Sequence, residues 1–275
     1  MKAVLARQDD GTIQLTITIP EDKIKKASSE VLEEYTKNVT LPGFRKGKAP
    51  KKMVEESLDK AKLKEEMLKR LLPQAYLEAV QEHNLHPIIN PQIHIEKLED
   101  DKPWEFKATT CELPEVKLGD YKKAIGNVTA KSKIVIPGKE QEPPKFDDIM
   151  KALIDSSEVK IPQVLVDQEV ERLLAQLLDE IKRLGLTLDQ YIASTGKNPE
   201  QLRAEYAEKA KNDIKLEFTL QKVAEDAQIQ VEEKEIDEAV QKATSDAERK
   251  NLEENRYLLA NILRQQKTLD YLKNL

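Results

Sequence analysis

Only one cysteine, Cys111, occurs in the 275 residues, so no intrachain disulfide can form. That fits a reducing compartment. Aromatic residues make up 4% of the chain. Any core must therefore be packed mainly by Leu, Ile, Val and Ala. No apolar run approaches the roughly 18 residues of a membrane span. The first ten residues, Met1 to Asp10, hold too short an apolar stretch for a signal core. A soluble, cytoplasmic protein is expected. Three histidines, His83, His86 and His94, lack Cys or carboxylate partners at metal-ligand spacing. No phosphate loop or catalytic triad pattern is present, so no cofactor and no metal are expected. Cys111, near a strand end, reads as a small buried apolar group rather than a nucleophile.

Charge is abundant instead, at 35% of residues with a net of −6. It is unevenly spread: residues 151–275 carry 19 basic and 25 acidic side chains. The C-terminal half should not attract nucleic acid in bulk. Any such contact must come from a local basic patch.

Thr12 to Ile19 alternates Ile13, Leu15, Ile17 and Ile19 against Thr12, Gln14, Thr16 and Thr18. That is a half-buried strand. Lys2 to Arg7 reads as its partner, with Asp10-Gly11 in the turn. Pro20 opens a helix whose apolar face is Ile24, Ala27, Val31 and Tyr35. Helical patterning resumes at Lys51 and runs to about His83, with Pro73 inside it. Strand-like runs follow over Ile88–Leu98 and Trp104–Glu112. Residues 1–113 thus read as an α+β head.

Residues 114–145 hold Pro114, Pro137, Pro143 and Pro144 and one short β-like run at Lys133–Ile136, and predict an extended linker. Residues 146–275 predict an all-α domain. Its strongest stripe is Val166, Val170, Leu173, Leu174, Leu177, Leu178 and Ile181. Further helices are expected near Pro199–Ala227, Glu232–Arg249 and Asn251–Leu272. Asn198 is placed as the N-cap of the first of these.

The segment Asn38–Pro50 breaks the helical pattern with Pro42, Gly43, Gly47 and Pro50. From Lys37 through Lys52 the charged residues are Lys37, Arg45, Lys46, Lys48, Lys51 and Lys52, with no acid among them. Phe44 stands beside Arg45 and Lys46 between two glycines, which permit tight backbone turns. Arginine suits phosphate contact and phenylalanine suits an apolar anchor. The combination fits a surface made partly of RNA and partly of protein. The same charges also fit a solvated basic turn joining two helices.

The full string Leu41-Pro42-Gly43-Phe44-Arg45-Lys46-Gly47-Lys48-Ala49-Pro50 resembles the ribosome-docking signature of trigger factors, bacterial nascent-chain chaperones. The likeness continues through Ala75–Val80, Pro87–Ile93, Phe106–Ala108 and Leu113–Tyr121. It extends more loosely over Ile161 to about Val240, including Gly185-Leu186-Thr187. The resemblance implies a ribosome-binding head (1–113) and a helical substrate-binding domain (146–275). It implies that Phe44, Arg45 and Lys46 contact a ribosomal protein and rRNA beside the exit tunnel, with Gly43, Gly47, Lys48 and Pro50 completing the loop. It also implies unfolded or nascent polypeptides as partners, no nucleotide, and homodimers away from the ribosome.

Full-length members carry a prolyl isomerase domain of the FK506-binding type between head and body. Only about Lys122 to Phe146 is available for it here, against the roughly 100 residues such a domain needs. The resemblance therefore implies a chaperone without enzymatic activity. Two other readings stand beside it: a peptidyl-prolyl isomerase, and a ribosome- or RNA-binding factor that holds no client.

Overall fold

The computed structural model describes residues 2–38, 59–100, 102–132, 146–243 and 245–275. They fall into two compact units. The head comprises residues 1–113 with 162–165, and the body comprises 114–161 with 166–275.

The head is built on a four-stranded antiparallel sheet ordered β1-β2-β4-β3. Its strands are β1 (Lys2–Arg7), β2 (Thr12–Ile19), β3 (Gln92–Lys97) and β4 (Trp104–Cys111). The alternation of β2 is realised: Ile13, Leu15, Ile17 and Ile19 are buried against Trp104, Phe106 and Ala108 of β4. Two helices complete this core. Helix α1 (Glu21–Asn38) contributes Ala27 and Val31, and α2 (Lys60–Glu82) contributes Met67, Leu71, Ala75 and Ala79. The acids Glu21 and Asp22 and the base Lys37 suit the dipole ends of α1. Asp59 caps α2 by accepting from the Ala61 amide at 2.9 Å. Pro73 lies inside that helix, as expected.

The strand predicted over Ile88–Leu98 starts only at Gln92. Pro91 has no amide to donate, so the ladder cannot extend back through it. Ile88 still donates once, to the Cys111 carbonyl at 3.0 Å. Ile93 and Ile95 are 40% exposed rather than covered, because β3 is an edge strand. Trp104 is buried and donates from Nε1 to the Glu99 carbonyl at 3.1 Å. Asp10 turns β1 into β2. Its carboxylate accepts from Thr12 twice and from the Gln163 amide, each at 2.8 Å. Burial works to raise its pKa, but these bonds outweigh burial and hold it below the usual carboxylate value.

The body corrects the linker expectation. Residues 116–132 are not a linker without regular structure: β5 (Val116–Leu118) leads into α3 (Tyr121–Ser132). Tyr121, Ile125 and Thr129 recur every four residues and are all buried, so the segment is amphipathic despite its few large apolar residues. Residues 133–145, with the β-like run at Lys133–Ile136, lie outside the described residues. The all-α expectation for 146–275 is corrected as well. After α4 (Phe146–Asp155), the strand β6 (Ser157–Val159) pairs antiparallel with β5.

The remaining helices are α5 (Gln163–Arg183), α6 (Leu188–Thr195), α7 (Pro199–Asp226), α8 (Glu233–Gln241), α9 (Asp246–Glu254) and α10 (Arg256–Lys273). The predicted helix over 232–249 is two helices, because Ser245 caps a new start by accepting from the Glu248 amide at 3.2 Å. The predicted start at Asn251 gives way to a break at Asn255. Asn198 caps α7 as expected, forming a reciprocal capping box with Gln201.

The body's main core gathers Tyr121 and Ile125 of α3, Ile149 and Leu153 of α4, Leu220 and Val223 of α7, and Leu272 of α10. The Tyr121 hydroxyl donates to the Asp226 carboxylate at 2.7 Å. Burial, then this carboxylate and Tyr271, hold the phenol protonated far above its usual range.

Gly119 is a point of close approach in this unit. Its amide donates to the Ser156 carbonyl at 2.9 Å, and an added Cβ would collide with that same oxygen. Gly119→Ala should lower stability by about 1–3 kcal/mol, the usual cost of forced overpacking. Urea unfolding would show the loss as a lower midpoint; an unchanged midpoint would mean the β5–β6 connection yields freely.

Candidate functional site

The loop residues Gly43, Phe44, Arg45, Lys46, Gly47, Lys48 and Pro50 lie outside the described residues. The structure does describe the two helices that lead into and out of that stretch. Helices α1 and α2 pack antiparallel, and cross-helix ion pairs record their register. Lys23 near the start of α1 meets Glu78 near the end of α2 at 2.8 Å. Glu34 further along α1 meets Arg70 further back on α2. Exposed pairs of this kind contribute only about 0–1 kcal/mol each. Their information is geometric: the C-terminal end of α1 and the N-terminal end of α2 lie at one end of a helical hairpin.

That end is basic. Lys37 closes α1, and Lys60, Lys62 and Lys64 fall in the first five residues of α2. Lys37, Lys60 and Lys62 are exposed. Lys64 is paired with Asp100 at 2.7 Å.

The body presents apolar surface instead. Helix α5 ends at Arg183, and Gly185 beyond it, with a positive φ of 72°, closes the last turn and lets the Leu186 amide reach the Ile181 carbonyl at 3.1 Å. Leu184 and Leu186 then project on either side of the glycine, 74% and 42% exposed. Next to them Leu174, Leu178, Leu188, Ile192 and Leu202 line an open cup of about 320 Å³. A second groove, of about 370 Å³, lies between α7 and α10. Tyr257, Leu258 and Ile262 form its wall and are 83%, 59% and 53% exposed.

Sequence patterning missed both surfaces. It passed over α6, although Thr187 and Gln190 form a reciprocal capping box there. It gave Tyr257-Leu258-Leu259 no reading of its own within the helix expected near Asn251–Leu272. Three consecutive apolar residues cannot share one helix face; Leu259 is buried and its two predecessors face outward.

Other candidate groups are accounted for by packing. Cys111 is fully buried, and burial pushes its thiol up to about 11, so thiolate is scarce at neutral pH. His83 closes α2 and has its Nε2 buried without a partner. His94 lies in the edge strand β3, paired opposite Lys107. Among the described residues, no three His, Cys, Asp or Glu side chains stand together as metal ligands. No described helix is long and apolar enough to cross a membrane.

Two family profiles together span the sequence. The one described as "Bacterial trigger factor protein (TF)" matches residues 1–139, and its C-terminal counterpart matches residues 138–275. The chain belongs to the trigger factor family. The trigger factor of Staphylococcus epidermidis strain ATCC 35984 is 36% identical over 122 residues, which cover 44% of this chain but only 28% of that relative. The trigger factor of Shouchella clausii is 22% identical along an alignment of 403 positions that covers 94% of this chain and 93% of the relative. The chain itself has 275 residues, so much of that alignment is relative without counterpart here. A solved structure, described as "Promiscuous Substrate Recognition in Folding and Assembly Activities of the Trigger Factor Chaperone", superposes with a TM-score of 0.66. It is 15% identical and is matched over 100% of this chain and 99% of that one, so the trigger factor fold is shared. The N-terminal trigger factor profile runs past Leu113 to include α3, a helix that by packing belongs to the body.

Proposed function

We propose that this chain is a holding chaperone that acts without nucleotide and without isomerase chemistry. The head docks at the ribosomal exit tunnel through Gly43 to Pro50, with Phe44, Arg45 and Lys46 in contact with protein and rRNA. The body covers apolar segments of nascent or unfolded chains in the cytoplasm, so that they do not aggregate. The observation that carries this reading is the amount of apolar surface left open in the body. A cup and a groove, each walled by exposed Leu, Ile or Tyr, are unusual on a chain with so few aromatic residues. Flexible aliphatic walls suit many clients through weak, spread contacts. The same surfaces favour self-association away from the ribosome. The Shouchella clausii alignment is long enough to hold an extra domain in that relative, which supports reading this chain as one without it.

Aggregation suppression tests the proposal. Wild type at stoichiometric amounts should hold an unfolding protein in solution. Leu178→Ser/Leu184→Ser/Leu186→Ser removes exposed leucines without opening the core, and should raise the amount required by at least about 5-fold, at roughly 1 kcal/mol or more of lost burial. Failure of the wild type to suppress aggregation would favour the factor that binds RNA but holds no client. Catalysis of proline isomerisation in a short peptide would favour the enzyme.

A further inference from the structure

Helix α5 takes its N-terminal cap from a distant turn. Its first turn holds no acid, and Pro162, the residue before it, has no side-chain acceptor for the orphan amides. Other helices are capped by the residue just before them: Asp59 serves α2, Thr187 α6, Asn198 α7 and Ser245 α9. For α5 the acceptor is the Asp10 carboxylate, 153 residues earlier, which takes the Gln163 amide at 2.8 Å. A carboxylate also suits the positive end of the helix dipole. The same carboxylate takes the Thr12 amide and hydroxyl, so one group holds the β1–β2 turn both to its own strand and to α5. Beside it Gly11 has a positive φ of 92°, and a Cβ built there would stand 3.5 Å from Pro162 Cγ, so the turn lies directly against the proline. Leu165 then donates back to the Pro162 carbonyl at 3.0 Å, and Val164 is buried. By packing, residues 114–161 belong to the body, 162–165 to the head, and 166–275 to the body again. The chain thus passes between the units after Leu113, after Ile161 and after Leu165. If 162–165 leave the head, only the first of these crossings remains.

We infer that Asp10 is a latch: by capping α5 from across the chain it holds residues 162–165 in the head, and so decides whether the chain ties head to body at one crossing or at all of them. A single capping bond is small, of the size that sets local opening rather than global unfolding. The latch can therefore open while the sheet of the head and the cores of both units stay folded. The group that closes it is local to the head, so the state of the β1–β2 turn is what the start of α5 reads.

The test is hydrogen exchange and backbone amide relaxation of the full chain, comparing wild type, Gln163→Pro, Gln163→Ala, Asp10→Ala and the Asp10→Ala/Gln163→Pro double variant. Proline is at ease at the first helical position but has no amide to donate, so Gln163→Pro removes the capping bond and leaves Asp10 on Thr12. Gln163→Ala keeps the amide and controls for the side chain. In Gln163→Pro the amides of 164–168 should exchange roughly 3- to 30-fold faster, the usual effect of a lost cap, while those of β2 and β4 keep wild-type rates. The head should then tumble with a shorter correlation time than in wild type. Asp10→Ala should speed exchange at 164–168 as much, and the double variant should add nothing there, because both changes break the same bond. Burial pushes the Asp10 carboxyl up while the Gln163 and Thr12 bonds hold it below the usual carboxylate value, so it should titrate higher in Gln163→Pro. The Cys111 thiol, which feels this charge, stays neutral over that range. Wild-type exchange at 164–168 in Gln163→Pro would overturn the latch. An equal loss in Gln163→Ala would also overturn it, placing the effect in the side chain. Faster exchange with an unchanged correlation time for the head would leave Asp10 a cap but overturn its role as a latch.

Discussion

Phe44→Ala/Arg45→Ala/Lys46→Ala is expected to disappear from the ribosomal pellet while keeping its fold. The substitution removes one apolar anchor and two cations from a stretch with no acidic residue between Lys37 and Lys52. Hydrogen bonds to charged groups are worth about 1.5–3 kcal/mol each, and a central aromatic anchor can exceed about 2 kcal/mol. Together they predict a fall in affinity of at least about 100-fold. The residues lie between α1 and α2 in the sequence, and the described core of the head is packed by side chains of β2, β4, α1 and α2. Circular dichroism and the thermal midpoint should therefore match wild type. Equal pelleting of both proteins would remove the loop from the docking surface. Wild-type binding should itself weaken as salt rises, since released counterions drive a phosphate contact.

The second large effect is on stability rather than binding. Phe106 is the largest of the fully buried side chains of the head and is 1% exposed. It sits on β4 opposite Ile17 on β2 and Ile95 on β3. Phe106→Ala should cost the head about 3–5 kcal/mol, the transfer energy of the ring plus the cavity left behind. Hydrogen exchange at the β2 and β4 amides would measure it. Protection should fall by roughly two to three and a half orders of magnitude, because about 1.4 kcal/mol is a factor of ten. Exchange at wild-type rates would mean that α1 and α2 can close the gap. The two variants make a contrast: loss of the loop side chains should abolish docking in an intact head, whereas loss of Phe106 should weaken the platform itself.

Much of this was legible from residue order. The period-two alternation of Ile13, Leu15, Ile17 and Ile19 named a strand and its buried face, and the structure realises both. Asn198-Pro199 named a helix start, and the capping box is there. These are local signals, set by backbone geometry over a few residues. The prediction failed where proline count stood in for pattern. Residues 114–145 looked extended because Pro114, Pro137, Pro143 and Pro144 frame them. Tyr121, Ile125 and Thr129 nonetheless keep the spacing of a buried helix face. It failed again at Glu232–Arg249, where Ser245 starts a new helix inside an unbroken polar pattern.

The loop that carries the docking role illustrates the division best. Its composition (two glycines, flanking prolines, one aromatic and adjacent cations) is a property of the string alone, and the string points to the family. Residue order could also place it between two helices. It could not say that those helices run antiparallel and bring Lys60 and Lys62 to the same end as Lys37. That follows from pairs such as Lys23–Glu78 and Glu34–Arg70, which join residues far apart in the chain. The open surface of the body has the same origin. Leu184, Leu186 and Leu258 carry the same side chain as the buried Leu15 and Leu153. Whether such a side chain is covered or left to face a partner depends on which elements pack against it, and periodicity along one helix carries no record of that.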